Sequence, residues 1–313
     1  MNNDHQQGRA DWVIPELGFE EETERLRKAI ADWLAGANAE MAEALSWQFL
    51  AGSKYFRPLT MFSCARAQTG EVAENVIRSA VALELFHNMT LVVDDILDRS
   101  DTRRGKATMH AKFGTLNALM TSGYMTAEAY RMMAEDAQAV RLLSELMTRL
   151  GAAECAQWRL RKQPLGVSDW RMLAQEDTGS MFEVAACLAD RSGALRRFGR
   201  YLGMLYHACD DVSDVRGTDA LGEGGGDEDI RDGILTLPAA IATLDPDVAA
   251  MFRDPAPSNY AALAAAFRAA LPAAEAELDV IADQARAEAH RHADDPAPLL
   301  ALVDRTRMLG YKV

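Results

Sequence analysis

The apolar run from Val76 to Leu97 sets the first constraint on this chain. It is interrupted by few charges until VVDDILDRSDTRRG, residues 92–105, where Asp94, Asp95 and Asp98 arrive together ahead of Arg103 and Arg104. A helix this apolar has no wet face and must be buried. On a helix, residues i and i+4 share a face, and i+1 lies about 100° away. Asp94 and Asp98 therefore stack, with Asp95 beside them. A second apolar segment ends in the same way: YHACDDVSDV, residues 206–215, carries Asp210, Asp211 and Asp214. One such cluster alone is commonly a solvated surface. Two of them, each following an apolar segment, would bury six carboxylates, at a large cost without a counter-ion. Mg²⁺ suits such a place, since it takes a few carboxylates together with substrate phosphates. Arg103 and Arg104 add planar, permanently charged forks that match phosphate oxygens. Acids for a metal beside bases for phosphate point to a diphosphate substrate.

The rest of the chain reads as helix. Residues 1–18 are predicted to be a loose tail and residues 19–313 one helical domain. Leu26, Ile30, Trp33 and Leu34 fall at helical spacing, and Ala39 to Leu50 continues the pattern. AGSKYFRP breaks it, with Pro58 suited to the first turn of a new helix. Further helical runs are predicted over Val76–Leu97, Leu116–Leu150, Ala152–Lys162, Asp169–Leu188 and Leu195–Val215. LGEGGGDEDIRDG is the clearest loop. There is no period-2 strand of useful length and no nucleotide-binding glycine pattern. The expected class is all-α, a single-domain helical bundle.

Composition narrows the partners. A net charge of −14 argues against a nucleic-acid surface. Cys64, Cys155, Cys187 and Cys209 form no CxxC pair, and their apolar or alanine-rich settings suggest buried free thiols in a reducing compartment. The first residues are polar, without a signal peptide's apolar run. No stretch is expected to reach the roughly 18 apolar residues of a membrane span. These readings make a cytoplasmic protein without stable membrane insertion the expectation.

At this point the chain resembles the trans-isoprenyl diphosphate synthases, or polyprenyl synthetases, over about residues 40 to 240. ELFHNMTLVVDDILDRSDTRRGKATMHAKFG, residues 84–114, is similar to the family's first aspartate-rich region. GSKYFRP resembles its GGKRxRP segment, YHACDDVSD its FQxxDDxxD region, and TLPAAIA its TLP helix start. The resemblance implies an isoprenoid-synthase-type bundle around a deep central cavity, usually as a homodimer. It implies catalytic roles for Asp94, Asp95, Asp98, Asp210, Asp211 and Asp214. It also implies Mg²⁺, about three ions per site, on Asp94, Asp98 and Asp210. An allylic prenyl diphosphate would be held by the metal cluster and Arg103, with Thr178 and His207 also on the substrate. Isopentenyl diphosphate would be held by Lys54, Arg57, His87 and Arg104. Met89 and Thr90 would form the floor that limits product length, giving about C15–C20.

The chain also departs from the family pattern. Three lysines that normally reach the allylic diphosphate are replaced by Asp177, Glu223 and Ile234. Tyr206 and His207 stand at the family's Phe-Gln pair, and Ser122 and Gly123 at its Gly-Asp pair. Lys106, Arg216 and Arg231 are candidate replacements for the lost charge, Arg231 from a loop that could close as a lid. The leading expectation is chain elongation. A terpene cyclase derived from this family is the alternative, and a non-catalytic partner subunit the second.

Overall fold

Nearly all regular structure is helical. A computed structural model describes residues 13–49, 54–103, 105–217 and 226–310. Along them run α1 (Val13–Leu17), α2 (Glu20–Ala35), α3 (Ala39–Phe49), α4 (Phe56–Thr69) and α5 (Glu74–Leu97). A two-residue hairpin follows, β1 (Thr102–Arg103) and β2 (Lys106–Ala107), antiparallel with Arg103 opposite Lys106. Then come α6 (Met109–Phe113), α7 (Thr115–Met132), α8 (Ala137–Leu160), α9 (Val167–Glu176), α10 (Thr178–Ala189) and α11 (Arg196–Arg216). The chain ends with α12 (Gly226–Asp232), α13 (Leu237–Ala242), α14 (Pro246–Arg253), α15 (Tyr260–His292) and α16 (Ala297–Leu309).

Several predicted boundaries differ: α8 runs through the break expected at Gly151, and α12 lies within the stretch read as the clearest loop. Residues 13–17 are not tail: α1 is helical, and its Val13 and Ile14 are buried in the main core. The predicted run Leu116–Leu150 is two helices: α7 ends at Met132, and Asp136 caps α8 by accepting from the Gln138 and Ala139 amides. The run Asp169–Leu188 also divides, at Asp177, whose ψ of −107° leaves the helical region. Cys155 is exposed, whereas the other three cysteines are buried as expected.

A continuous core runs from Val13 to Leu309, and a smaller one gathers Ile230, Phe252, Leu263 and Phe267. At its centre lie α5 and α10, apolar nearly all round and accordingly buried. Contrary to the sequence expectation, α5 is long and apolar enough to span a bilayer by length and composition. In the fold, 72% of that apolar window is buried inside the protein, so α5 serves as a core helix. Phe86 of α5 meets Tyr130 of α7 edge-on at 5.8 Å. Tyr206 of α11 packs on Phe56 of α4 and Phe182 of α10, tying those three helices together.

α10 carries one buried charge, Glu183. It accepts from Arg196 at 2.9 Å and Arg200 at 2.7 Å, and pairs with Arg149 at 3.2 Å. A buried carboxylate is tolerable when its oxygens are paired in this way.

α10 and α11 approach closely because glycines face each other across the contact. A Cβ at Gly203 would lie 2.8 Å from both the Thr178 carbonyl oxygen and Gly179 Cα. A helical Gly→Ala change ordinarily stabilises by about 1 kcal/mol, but overpacking costs about 1–3 kcal/mol. Gly203→Ala is therefore expected to lower stability in urea melts. Gly151→Ala, whose Cβ would meet nothing within 4 Å, is expected to raise it.

Candidate active site

The cavity follows from helical spacing. His87, Thr90, Leu91, Asp94 and Asp98 recur at three or four residues, forming one stripe along α5 and its C-terminal cap. Leu150, Glu154 and Gln157 form a similar stripe on α8. The end of α9 and start of α10 supply Asp177, Thr178 and Met181, and α11 supplies Tyr206, His207 and Asp210. Lys54, Tyr55, Phe56 and Arg57 close the remaining side at the start of α4. These residues enclose about 270 Å³. A second cavity, about 540 Å³, shares Asp98, Arg103, Gln157, Asp177, His207 and Asp210 with the first, and adds Asp95, Asp211 and Asp214. The two acidic clusters, more than a hundred residues apart in sequence, thus border one continuous space.

The six aspartates are not equivalent. All six line one or both cavities, but Asp95 and Asp211 also make hydrogen bonds within the protein. Asp95 is buried and accepts from Arg103 Nε at 2.7 Å. Asp211 accepts from Trp170 Nε1 at 2.8 Å and from the Leu237 amide at 2.7 Å. The second aspartate of each pair thus also serves the fold: Asp95 orients Arg103, and Asp211 ties α11 to α9 and α13. Arg103, on β1, is steered to the cavity rim by that bond.

The cationic end is also assembled. Arg57 Nη1 lies 3.1 Å from His87 Nε2, and its guanidinium stands over the Phe182 ring. Lys54 lines the same wall, and Tyr55 turns the chain into α4 with a left-handed φ of 53°. On the opposite wall, Thr178 Oγ1 lies 3.0 Å from His207 Nδ1, and Asp177 lies 3.6 Å from that nitrogen. Arg104 and Glu223 lie outside the described residues. Thr90 lines the cavity, but Met89 does not. It is 3% exposed and belongs to the core, because a one-residue step on a helix turns the side chain away. The C15–C20 expectation, which rested on Met89, loses its basis.

Sequence reasoning missed Glu154, Gln157 and Leu91. A glutamate four residues beyond Leu150, on an otherwise buried stripe of α8, was the available signal. Of the proposed replacements for the lost lysines, Lys106 lines a small neighbouring pocket with His87, Asp95 and Arg103; none lines the two cavities described above. Arg216 pairs with Glu275, Arg231 with Asp232, and Lys106 lies near the Trp47 ring.

The carboxylates repel one another. Burial, with Glu154, Asp177 and Asp98 nearby, pushes Asp94 up to about 8 against the opposing pull of Arg103. Burial, Asp177 and Asp98 push Glu154 up to about 7. This donor set suits a hard divalent cation, which would take the place of those protons. Among the described residues no three His, Cys, Asp or Glu side chains close into a metal cage by themselves. The fit is to ions that take some ligands from the protein and the rest from phosphate oxygens and water.

Residues 38–259 match the family model described as polyprenyl synthetase. The chain belongs to the polyprenyl synthetase family. It is 28% identical over 238 residues to octaprenyl diphosphate synthase of Escherichia coli K12, covering 69% of this chain and 73% of that one. It is 30% identical over 232 residues to nonaprenyl diphosphate synthase of Mycobacterium tuberculosis, covering 70% and 68%. The crystal structure of a polyprenyl synthase from Caulobacter crescentus, complexed with calcium and isoprenyl diphosphate, superposes with a TM-score of 0.84 at 23% identity. That match covers 98% of this chain and 99% of the other. The all-α isoprenoid-synthase fold anticipated from the sequence is the fold observed, and the chain is a trans-prenyltransferase.

A carboxylate that holds its proton in the folded chain, at a pH where the unfolded chain has lost it, destabilises the fold as pH rises. Asp94 and Glu154 meet that condition from their ordinary values of 3.8 and 4.5 up to about 8 and about 7. In EDTA, the melting temperature should decline across that window. Mg²⁺ should offset the decline, so the gap between the two samples widens with pH. A gap independent of pH would count against the shared cation site.

Proposed function

We propose that this prenyltransferase joins an allylic prenyl diphosphate to isopentenyl diphosphate with the help of Mg²⁺. The reading is carried by one observation: residues of both acidic clusters and the Lys54–Arg57–His87 group line the same cavity. Asp94, Asp98 and Asp210 would hold the ions, about three by the family resemblance. Bound Mg²⁺ supplies the positive charge that stabilises the departing diphosphate. Arg103, fixed by Asp95, adds a guanidinium at the same end.

Lys54, Arg57 and His87 hold the isopentenyl diphosphate at the other end, with Arg57 kept in place by His87 and Phe182. Between the two ends, Phe56, Leu91, Leu150, Met181 and Tyr206 present apolar surface. The allylic C–O bond breaks and its electron pair leaves with the diphosphate. The double bond of isopentenyl diphosphate attacks the resulting allylic cation, and the new C–C bond forms. A proton then leaves to the released diphosphate. The apolar lining protects the cation from water during that interval.

Mass spectrometry of products from C5 to C20 allylic diphosphates, with and without isopentenyl diphosphate, tests the reaction. Longer diphosphates should form only when both substrates and Mg²⁺ are present. Hydrocarbons or alcohols from the allylic diphosphate alone would overturn elongation in favour of cyclisation. Asp210→Asn should lower kcat by roughly 10²–10³-fold. Arg57→Ala should raise KM for isopentenyl diphosphate and spare that of the allylic substrate.

The protein acts as a homodimer in this reading. Leu116, Leu119 and Met120 form an exposed apolar stripe on α7, with Leu116 75% exposed. Such a stripe is suited to a second copy. Met120→Glu is expected to give monomers in light scattering. An unchanged mass would remove α7 as the contact.

A further inference from the structure

One cation beside the cavities is unaccounted for by the reaction described above: Arg161 lines neither, but it is bonded to Asp98, which lines both. Arg161 ends the α8 stripe that begins with Leu150, Glu154 and Gln157, four residues beyond Gln157. Its side chain is only 15% exposed, and its guanidinium lies flat on the Trp158 ring, 3.8 Å from the centroid. Nη2 donates to Asp98 at 3.1 Å. Nη1 stands 3.6 Å from Asp232, beyond hydrogen-bond distance. Nε is buried and meets no acceptor among the described residues. A guanidinium has five N–H donors, and this one uses little of that capacity while being held in place by stacking.

Its surroundings are rigid and acidic. The next residue, Lys162, has a left-handed φ of 62°, and its amide donates to the Gly233 carbonyl at 2.7 Å. Gly233 has a φ of 67°, and a Cβ there would lie 2.5 Å from Lys162 Cγ. Residues 161–162 and 232–233 therefore clasp the end of α8 to the end of α12, beside the larger cavity. On the α8–α10–α11 wall the side chains lining the smaller cavity are Leu150, Glu154, Gln157, Asp177, Thr178, Met181, Tyr206, His207 and Asp210, with no lysine or arginine among them. Apart from bound Mg²⁺, positive charge for a diphosphate on this wall would have to come from a neighbouring side chain. Arg161 is close enough to oppose the upward shift of Glu154.

We propose that Arg161 is a diphosphate-binding residue of this enzyme, held in waiting on Asp98 and turned to the allylic diphosphate when it occupies the cavity. The proposal rests on the prenyltransferase reading. A diphosphate offers more negative charge and more acceptor oxygens than the Asp98 carboxylate, and the planar fork matches them. With Asp232 beyond hydrogen-bond distance, Nη1 gives the guanidinium a second donor for the ligand.

Calorimetric titration of the full chain with inorganic pyrophosphate and Mg²⁺ tests this, together with KM for each substrate. Arg161→Gln should weaken pyrophosphate binding roughly ten- to hundredfold. It should raise KM for the allylic substrate and leave that for isopentenyl diphosphate alone. Arg161→Lys should recover part of the affinity. Asp232→Asn, which releases one of the two holding carboxylates, should not weaken it. Wild-type pyrophosphate affinity in Arg161→Gln, with only a lower melting temperature, would reduce Arg161 to a structural clasp and overturn the proposal. A rise in KM confined to isopentenyl diphosphate would overturn it too. A wild-type protein that neither binds pyrophosphate nor lengthens prenyl diphosphates would overturn the underlying reading as well.

Discussion

The close contact between α10 and α11 is the constraint on which the site depends. Gly199 and Gly203 lie four residues apart on α11, and His207 and Asp211 continue the same face. At Gly199 a Cβ would meet the Phe182 carbonyl oxygen at 2.5 Å, so that contact admits no larger residue. With the backbones this near, the next two turns of α11 bring His207 against Thr178 and Asp211 against Trp170. A larger residue in the glycine stripe would push these groups apart and separate the second acidic cluster from the wall it shares with the first.

A second constraint is electrostatic. The cavity collects carboxylates from α5, α8, α10 and α11 that would not share so small a space without compensation. Part of the compensation is internal, since Asp95 and Asp211 are satisfied by Arg103, Trp170 and a backbone amide. The rest is left to the ligands. The upward shifts of Asp94 and Glu154 express this residual repulsion. Glu183, by contrast, is buried among arginines and completes its compensation within the protein. The difference separates an acid kept for structure from acids that await a cation.

Much of this was legible in the sequence. The spacing of Asp94 with Asp98, and of Asp210 with Asp214, placed each pair on one helical face, and all six aspartates border one or both cavities. Lys54, Arg57 and His87 were found through their motif, and the structure brings them to one wall. Helix ends were less legible. Asp136 and Asp177 divide runs that periodicity alone joins, because a polar residue inside a helical pattern reads the same whether it faces water or stops the helix.

The sequence by itself determined the all-α class, the two acidic clusters and their helical phase, since these depend on residue type and on a local period of 3.6. Tertiary structure decided which aspartates are also tied down within the protein, because that depends on partners such as Trp170 and Leu237, distant in the chain. It also moved Met89 into the core while leaving Thr90 on the lining. And it brought Arg161, which no motif marks, beside Asp98, 63 residues earlier. Contacts of that separation arise only when helices pack, so no local pattern carries them.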